Sequence, residues 1–159
     1  MFNQWHKNKC KSRKWLALGF AASFSLLSSV SYAVGNIAIV TNDTKIESGE
    51  ELGITLVLGG SGTYDVYGAV TGGILGASFF VFDENSNLLP WDGSGPPPKL
   101  RSNVTIENLS TSDKIIPLLP RIPVGGLSGN YAAFGVLVPA GANVMENLDN
   151  LDMTTIVID

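Results

Sequence analysis

Cysteine and histidine are almost missing from this chain. Its 159 residues include one of each, Cys10 and His6, both within the first ten positions. Everything after residue 10 lacks a thiol and an imidazole. That excludes Ser-His-Asp and Cys-His nucleophilic catalysis there, together with zinc, copper or haem sites built on those side chains. An internal disulfide is excluded as well, so the fold must stand on its core. Charge is sparse at 15% of residues, and cations especially so. After residue 33 only Lys45, Lys99, Arg101, Lys114 and Arg121 remain against all fourteen acids, a net charge of −9 over 34–159. A domain this acidic has no electrostatic reason to bind nucleic acid or an anionic membrane surface.

Only one long apolar run is present, at 16–30. Lys7, Lys9, Lys11, Arg13 and Lys14 precede it without an acid, and Ser31-Tyr32-Ala33 follows. A basic stretch, an apolar stretch and small residues at −3 and −1 describe a bacterial secretory signal, cut after Ala33. The run is short for a bilayer core of about 30 Å, so no membrane insertion of the mature chain is expected. Residues 1–33 thus read as a signal peptide and 34–159 as a single domain, exported to the periplasm or the extracellular space.

No segment of 34–159 keeps an apolar period of 3.6 residues over three turns. Short runs rich in Val, Ile, Phe, Tyr and Thr alternate instead with Gly, Pro, Asn and Asp every 8–12 positions, the pattern of an antiparallel β-sandwich or barrel. The runs predict strands at Asn36–Thr41, 52–58, 63–70, 74–82, Leu88–Trp91, 104–106, 115–119 (ended by Pro120), 131–138 and 154–158. Leu52, Ile54, Leu56 and Leu58 mark one buried face. In 74–82 both faces are apolar, with Phe79 and Val81 on one and Phe80 and Phe82 on the other, which predicts a central strand or an exposed aromatic patch. Pro96-Pro97-Pro98 predicts a stiff crossing between sheets, and 143–152 a polar loop or single helical turn.

Leu127-Ser128-Gly129-Asn130-Tyr131, leading into Ala133-Phe134-Gly135-Val136-Leu137-Val138, resembles the Leu-x-Gly-x-Tyr "tyrosine corner" of immunoglobulin-like sandwiches. Glu47-Ser48-Gly49-Glu50-Glu51-Leu52 with its alternating strand resembles the second strand of bacterial extracellular Ig-like (fibronectin-type) accessory domains. The resemblance implies an all-β, Ig-like β-sandwich of about seven to nine strands. It also implies structural roles for Tyr131 and Gly129, the hydroxyl of Tyr131 returning to a backbone group upstream. Such modules bind or space rather than catalyse.

Three constellations carry chemistry. Trp91, Tyr64 and Tyr67 offer an aromatic platform for sugar rings, with Asp92 or Asp65 to meet hydroxyls. Asp83-x-Asn85-x-Asn87 has the oxygen spacing that opens many calcium loops, although Leu88 and Ser94 occupy the positions of the EF-hand glycine and bidentate glutamate. Glu146, Asp149 and Asp152 recur at three-residue spacing, either gathering a cation or solvating a loop. The adjacent pairs Glu50-Glu51 and Asp83-Glu84 do not converge on a strand, where neighbours point to opposite faces. The expectation is an exported, non-enzymatic binding or spacer module, with no cofactor unless calcium, meeting an envelope or extracellular protein or polysaccharide. The alternatives are a structural subunit joined by edge-strand pairing and a carboxylate-based carbohydrate-active enzyme.

Overall fold

The computed structural model describes residues 34–159; the expected signal segment, with His6 and Cys10, lies outside the described residues. Ten strands run in chain order: β1 Asn36–Thr41, β2 Lys45–Ile46, β3 Glu51–Gly59, β4 Thr63–Gly72, β5 Phe79–Phe82, β6 Leu88–Trp91, β7 Arg101–Thr105, β8 Ile115–Pro123, β9 Gly129–Pro139 and β10 Asn150–Ile158. They form two sheets. One is three-stranded in the order β1-β3-β8; the other runs β2-β10-β9-β4-β5-β6, with β7 beside the start of β4. The pairings are antiparallel except for β2 on β10. The described residues are all-β, and no helix among them is long and apolar enough to cross a membrane.

Alternation explains the core. Along β3, Leu52, Ile54, Leu56 and Leu58 are buried while their neighbours are not. They meet Ile116 and Leu118 of β8 and, from the larger sheet, Val66, Phe82, Leu137, Ile156 and Ile158 in one cluster. Each such side chain contributes roughly 1.5–3 kcal/mol by leaving water. Gly68 and Gly135 stand opposite each other on β4 and β9. A Cβ on Gly68 would lie 2.8 Å from a Leu118 methyl, and one on Gly135 2.7 Å from a Leu56 methyl. The bare backbone at this pair therefore receives leucines of the smaller sheet.

Several boundaries differ from the sequence reading. The strand expected over 74–82 begins only at Phe79. Gly72, Gly73 and Gly76 take positive φ of 95°, 51° and 63°, and a 3-10 turn occupies Gly73–Leu75. Pro120 does not end β8, which continues to Pro123. An edge strand tolerates proline because its missing N–H can lie on the unpaired side, and register shifts against β3 absorb the rest. Pairing with β9 extends the last strand back to Asn150, leaving a 3-10 turn at Val144–Glu146 in the expected polar segment. The strand expected at 104–106 lies at Arg101–Thr105, and Ile106 opens a 3-10 turn. The proline segment joins β6 to β7 within one sheet rather than crossing between sheets.

The Tyr131 hydroxyl meets a backbone group upstream, accepting from the Ile74 N–H at 3.2 Å in the β4–β5 connection 57 residues earlier. Gly129, at φ 105°, opens β9 with its Cα side against Gly73.

Candidate functional site

Residues on β4, β5 and β9 that do not enter the core point to the opposite face of the larger sheet, and most are apolar too. Tyr67 and Ala69 of β4, Phe79 and Val81 of β5, Trp91 of β6, Phe134 and Val136 of β9 and Leu151 of β10 line one groove of about 280 Å³. Two loops wall it. Pro97 and Pro98 come from the β6–β7 connection, and Val144, Met145 and Leu148 from the β9–β10 connection. The lining surface is apolar throughout. Phe79 sits between two rings, edge-on to Trp91 at 6.5 Å and tilted against Phe134 at 5.7 Å. The groove is open: Phe79 is 39%, Leu151 42% and Met145 56% exposed. Leu89, paired with Val81, and Met153, paired with Phe134, carry exposed apolar surface to either side. Of the 74–82 side chains on this face Phe79 is exposed, while Val81 is buried, as are Tyr67 and Val136.

One carboxylate organises the end of the groove. Asp65 is fully buried beside Tyr67. Its Oδ1 accepts from the Asn103 N–H at 2.9 Å, and its Oδ2 from the Gly141 N–H at 3.0 Å and from Lys99 Nζ at 2.8 Å. Three segments outside β4 are thus tied to one side chain, and Asn103 is held at a positive φ of 53°. Burial pushes the Asp65 carboxyl up, but the bonds from Lys99, Asn103 and Gly141 together bring it below the usual carboxylate range. Lys99 is held above the usual lysine value by its bond to Asp65. Burial raises Tyr67, with the Lys99 charge opposing and the Asp65 charge adding.

The sequence-derived platform divides accordingly. Trp91 and Tyr67 line the groove together, and the Trp91 indole N–H donates to the Gly95 carbonyl at 3.2 Å. Tyr64 does not join them; it packs against the core, and its hydroxyl accepts from the Gly35 N–H at 2.9 Å. Asp92 spends its carboxylate on the Ser94 N–H and hydroxyl, which lowers its pKa. Neither Asp92 nor Asp65 is among the residues lining the groove.

Asp83, Asn85 and Asn87 lie in the β5–β6 turn. Asp83 Oδ1 accepts from the Asn85 and Asn87 N–H groups at 2.9 and 2.8 Å, and Oδ2 accepts from the Asn87 side-chain amide at 2.9 Å. The Asn87 bonds lower the Asp83 pKa most. Its oxygens are directed at the turn itself, an Asx arrangement rather than a cation cage. Glu146 and Asp152 diverge: one accepts from the Asn143 amide, the other from the Ile39 N–H. Among the described residues no three His, Cys, Asp or Glu gather into a group that could hold a metal ion.

Several edge strands are guarded, although β2 covers β10 only at Val157 and Ile158. Pro117, Pro120 and Pro123 punctuate β8, and Pro90 interrupts β6. β2 is two residues long, and on β1 the Ile39 N–H is taken by Asp152 Oδ2 at 2.8 Å. Prolines, short strands and capped donors all oppose pairing with another chain.

Sequence reasoning did not assemble Phe134, Leu151, Met145 and Leu148 into this site, nor find the Asp65–Lys99 tie. Its available signal was the two-faced apolar alternation of 133–138, in which Phe134, Val136 and Val138 oppose Ala133 and Leu137. Comparison with known proteins finds no matching family, no matching curated protein and no matching solved structure.

Proposed function

We propose that this chain is an exported, non-catalytic binding module, an Ig-like sandwich that meets a protein partner through the outer face of its larger sheet. The observation that carries this reading is the open apolar groove around Phe79, Trp91 and Phe134. Aromatic anchors concentrate binding energy in apolar recognition sites. The all-apolar lining favours protein side chains over polysaccharide, whose hydroxyls need polar partners. The guarded edges favour recognition by a face over assembly by strand addition.

The Ig-like part of the proposal is supported by strand order. A three-stranded sheet faces a sheet whose centre is β10-β9-β4, with β5 and β6 added beyond β4. That resembles the variable-type arrangement, in which two extra strands extend the sheet that holds the third, penultimate and last strands.

Full-chain protein and its Phe134→Glu variant, titrated with the apolar dye anilinonaphthalene sulfonate, test the groove. Wild type should enhance dye emission and shift Trp91 emission, with Trp91→Phe as the spectral reference, while Phe134→Glu should lose most of both. Equal enhancement by the two proteins would overturn the choice of face. Saturable hydrolysis on glycoside, ester or peptide panels that vanishes on changing one acid would overturn the binding-module reading.

A further inference from the structure

We propose that the groove's partner is a polypeptide segment whose apolar side chains are flanked by lysine or arginine. The inference rests on the groove being the recognition surface and adds the charge of what it recognises. The groove floor carries no ionised group, but three of its lining residues are followed in the chain by an exposed acid. Asp92 succeeds Trp91, Glu146 succeeds Met145 and Asp149 succeeds Leu148. Lys99, the one cation in the walling loops, is neutralised by Asp65. Of the others, Lys45 pairs with Asp159, Arg101 donates to the Glu84 and Leu100 carbonyls, and Lys114 and Arg121 belong to β8 and the loop before it. An apolar floor with an uncompensated acidic rim is complementary to apolar anchors between cations.

The same rim decides against other occupants. A second copy in a two-fold contact through the groove would bring two sets of these acids together, between chains that each carry −9 over 34–159. An anionic lipid surface would be repelled for the same reason. At about 280 Å³ and open along one side, the groove suits a few side-chain anchors better than an engulfed small molecule.

The test is selection of a random twelve-residue peptide display library on full-chain protein, with Phe134→Glu as the counter-target. Leu151→Glu, at a position already 42% exposed, serves as a second counter-target whose folding is less at risk. Peptides enriched on wild type alone should combine Leu, Phe, Ile or Trp with flanking Lys or Arg. A synthetic copy of the best should bind about tenfold more weakly at 0.5 M salt than at 0.05 M, and lose its salt dependence on the triple variant Asp92→Asn, Glu146→Gln, Asp149→Asn. Enriched peptides without an excess of cations, or affinity indifferent to salt, would overturn the charge inference while leaving the groove standing. Equal enrichment on both counter-targets would overturn the groove as recognition surface. A concentration-dependent dimer abolished by Leu151→Glu would replace the cationic partner with a second copy.

Discussion

Replacing Asp65 by Asn changes one atom and should cost more than most truncations on this surface. The native carboxylate is fully buried and accepts three bonds: Asn103 N–H on one oxygen, Gly141 N–H and Lys99 Nζ on the other. An amide has one acceptor. Oriented to keep Gly141 and Lys99, it aims its NH₂ at the Asn103 N–H, donor against donor. Flipped, it faces Gly141 and Lys99 instead. Either way at least one bond to a charged acceptor is lost, worth about 1.5–3 kcal/mol, and a buried donor goes unpaired at about 1–3 kcal/mol. A total near 3 kcal/mol follows, the Lys99 side chain being 37% exposed and able to turn to water. In a domain of this size that lowers Tm by roughly 10 °C. The pH dependence supplies a second arm. The folded Asp65 pKa is lowered, so its stabilisation is complete above the unfolded value of about 4 and is lost as pH falls through the folded value. The gap between wild type and variant should therefore be flat from pH 5 to 8 and narrow toward pH 2. Urea melts at pH 7 and pH 2 measure both. A gap below 1 kcal/mol at pH 7, or one equally large at pH 2, would refute the assignment of Asp65 as the loop anchor.

Gly135→Ala should destabilise by about 1–3 kcal/mol in urea melts, because its Cβ meets the buried Leu56. Gly125→Ala, with nothing within 4 Å and an ordinary φ, should be neutral or slightly stabilising. Tyr131→Phe should move the urea midpoint by less than about 1 kcal/mol, since the Ile74 N–H it abandons belongs to a residue 63% exposed and water can replace the hydroxyl. A loss of 2–3 kcal/mol would mean that the hydroxyl holds a buried partner after all. N-terminal sequencing of exported material should begin at Val34, and recovery of Met1 would overturn the signal reading.

Period-two patterns were legible wherever one face alone decided the matter. Asn36–Thr41 and Leu88–Trp91 coincide with their expected bounds, and β3 follows its leucines. Strand ends failed where the deciding group lay elsewhere. Pro120 reads locally as a stop, yet β8 runs on because it is an edge, a fact set by sheet order. The hydroxyl of Tyr131 and the carboxylate of Asp65 find partners 57, 38 and 76 residues away, in segments that no local pattern brings near.

The groove was half legible for a deeper reason. Alternation sorts side chains to two faces but does not say which face will be covered. In β4, β5 and β9 both sets are apolar, so hydrophobicity alone offers two cores. The smaller sheet has three strands against seven and can cover only one of them. Gly68 and Gly135 break the tie, because only their face leaves room for Leu118 and Leu56 to approach. Of the bulkier set on the far side, Tyr67 is buried in a smaller cluster with Val136, Val138 and Val144, while Phe79, Phe134 and Trp91 are left with two short loop walls instead of a second layer. Covering the core and exposing the groove are one consequence of where those two glycines stand. Filling them should therefore strain the core without blocking the groove, whereas Phe134→Glu should do the reverse.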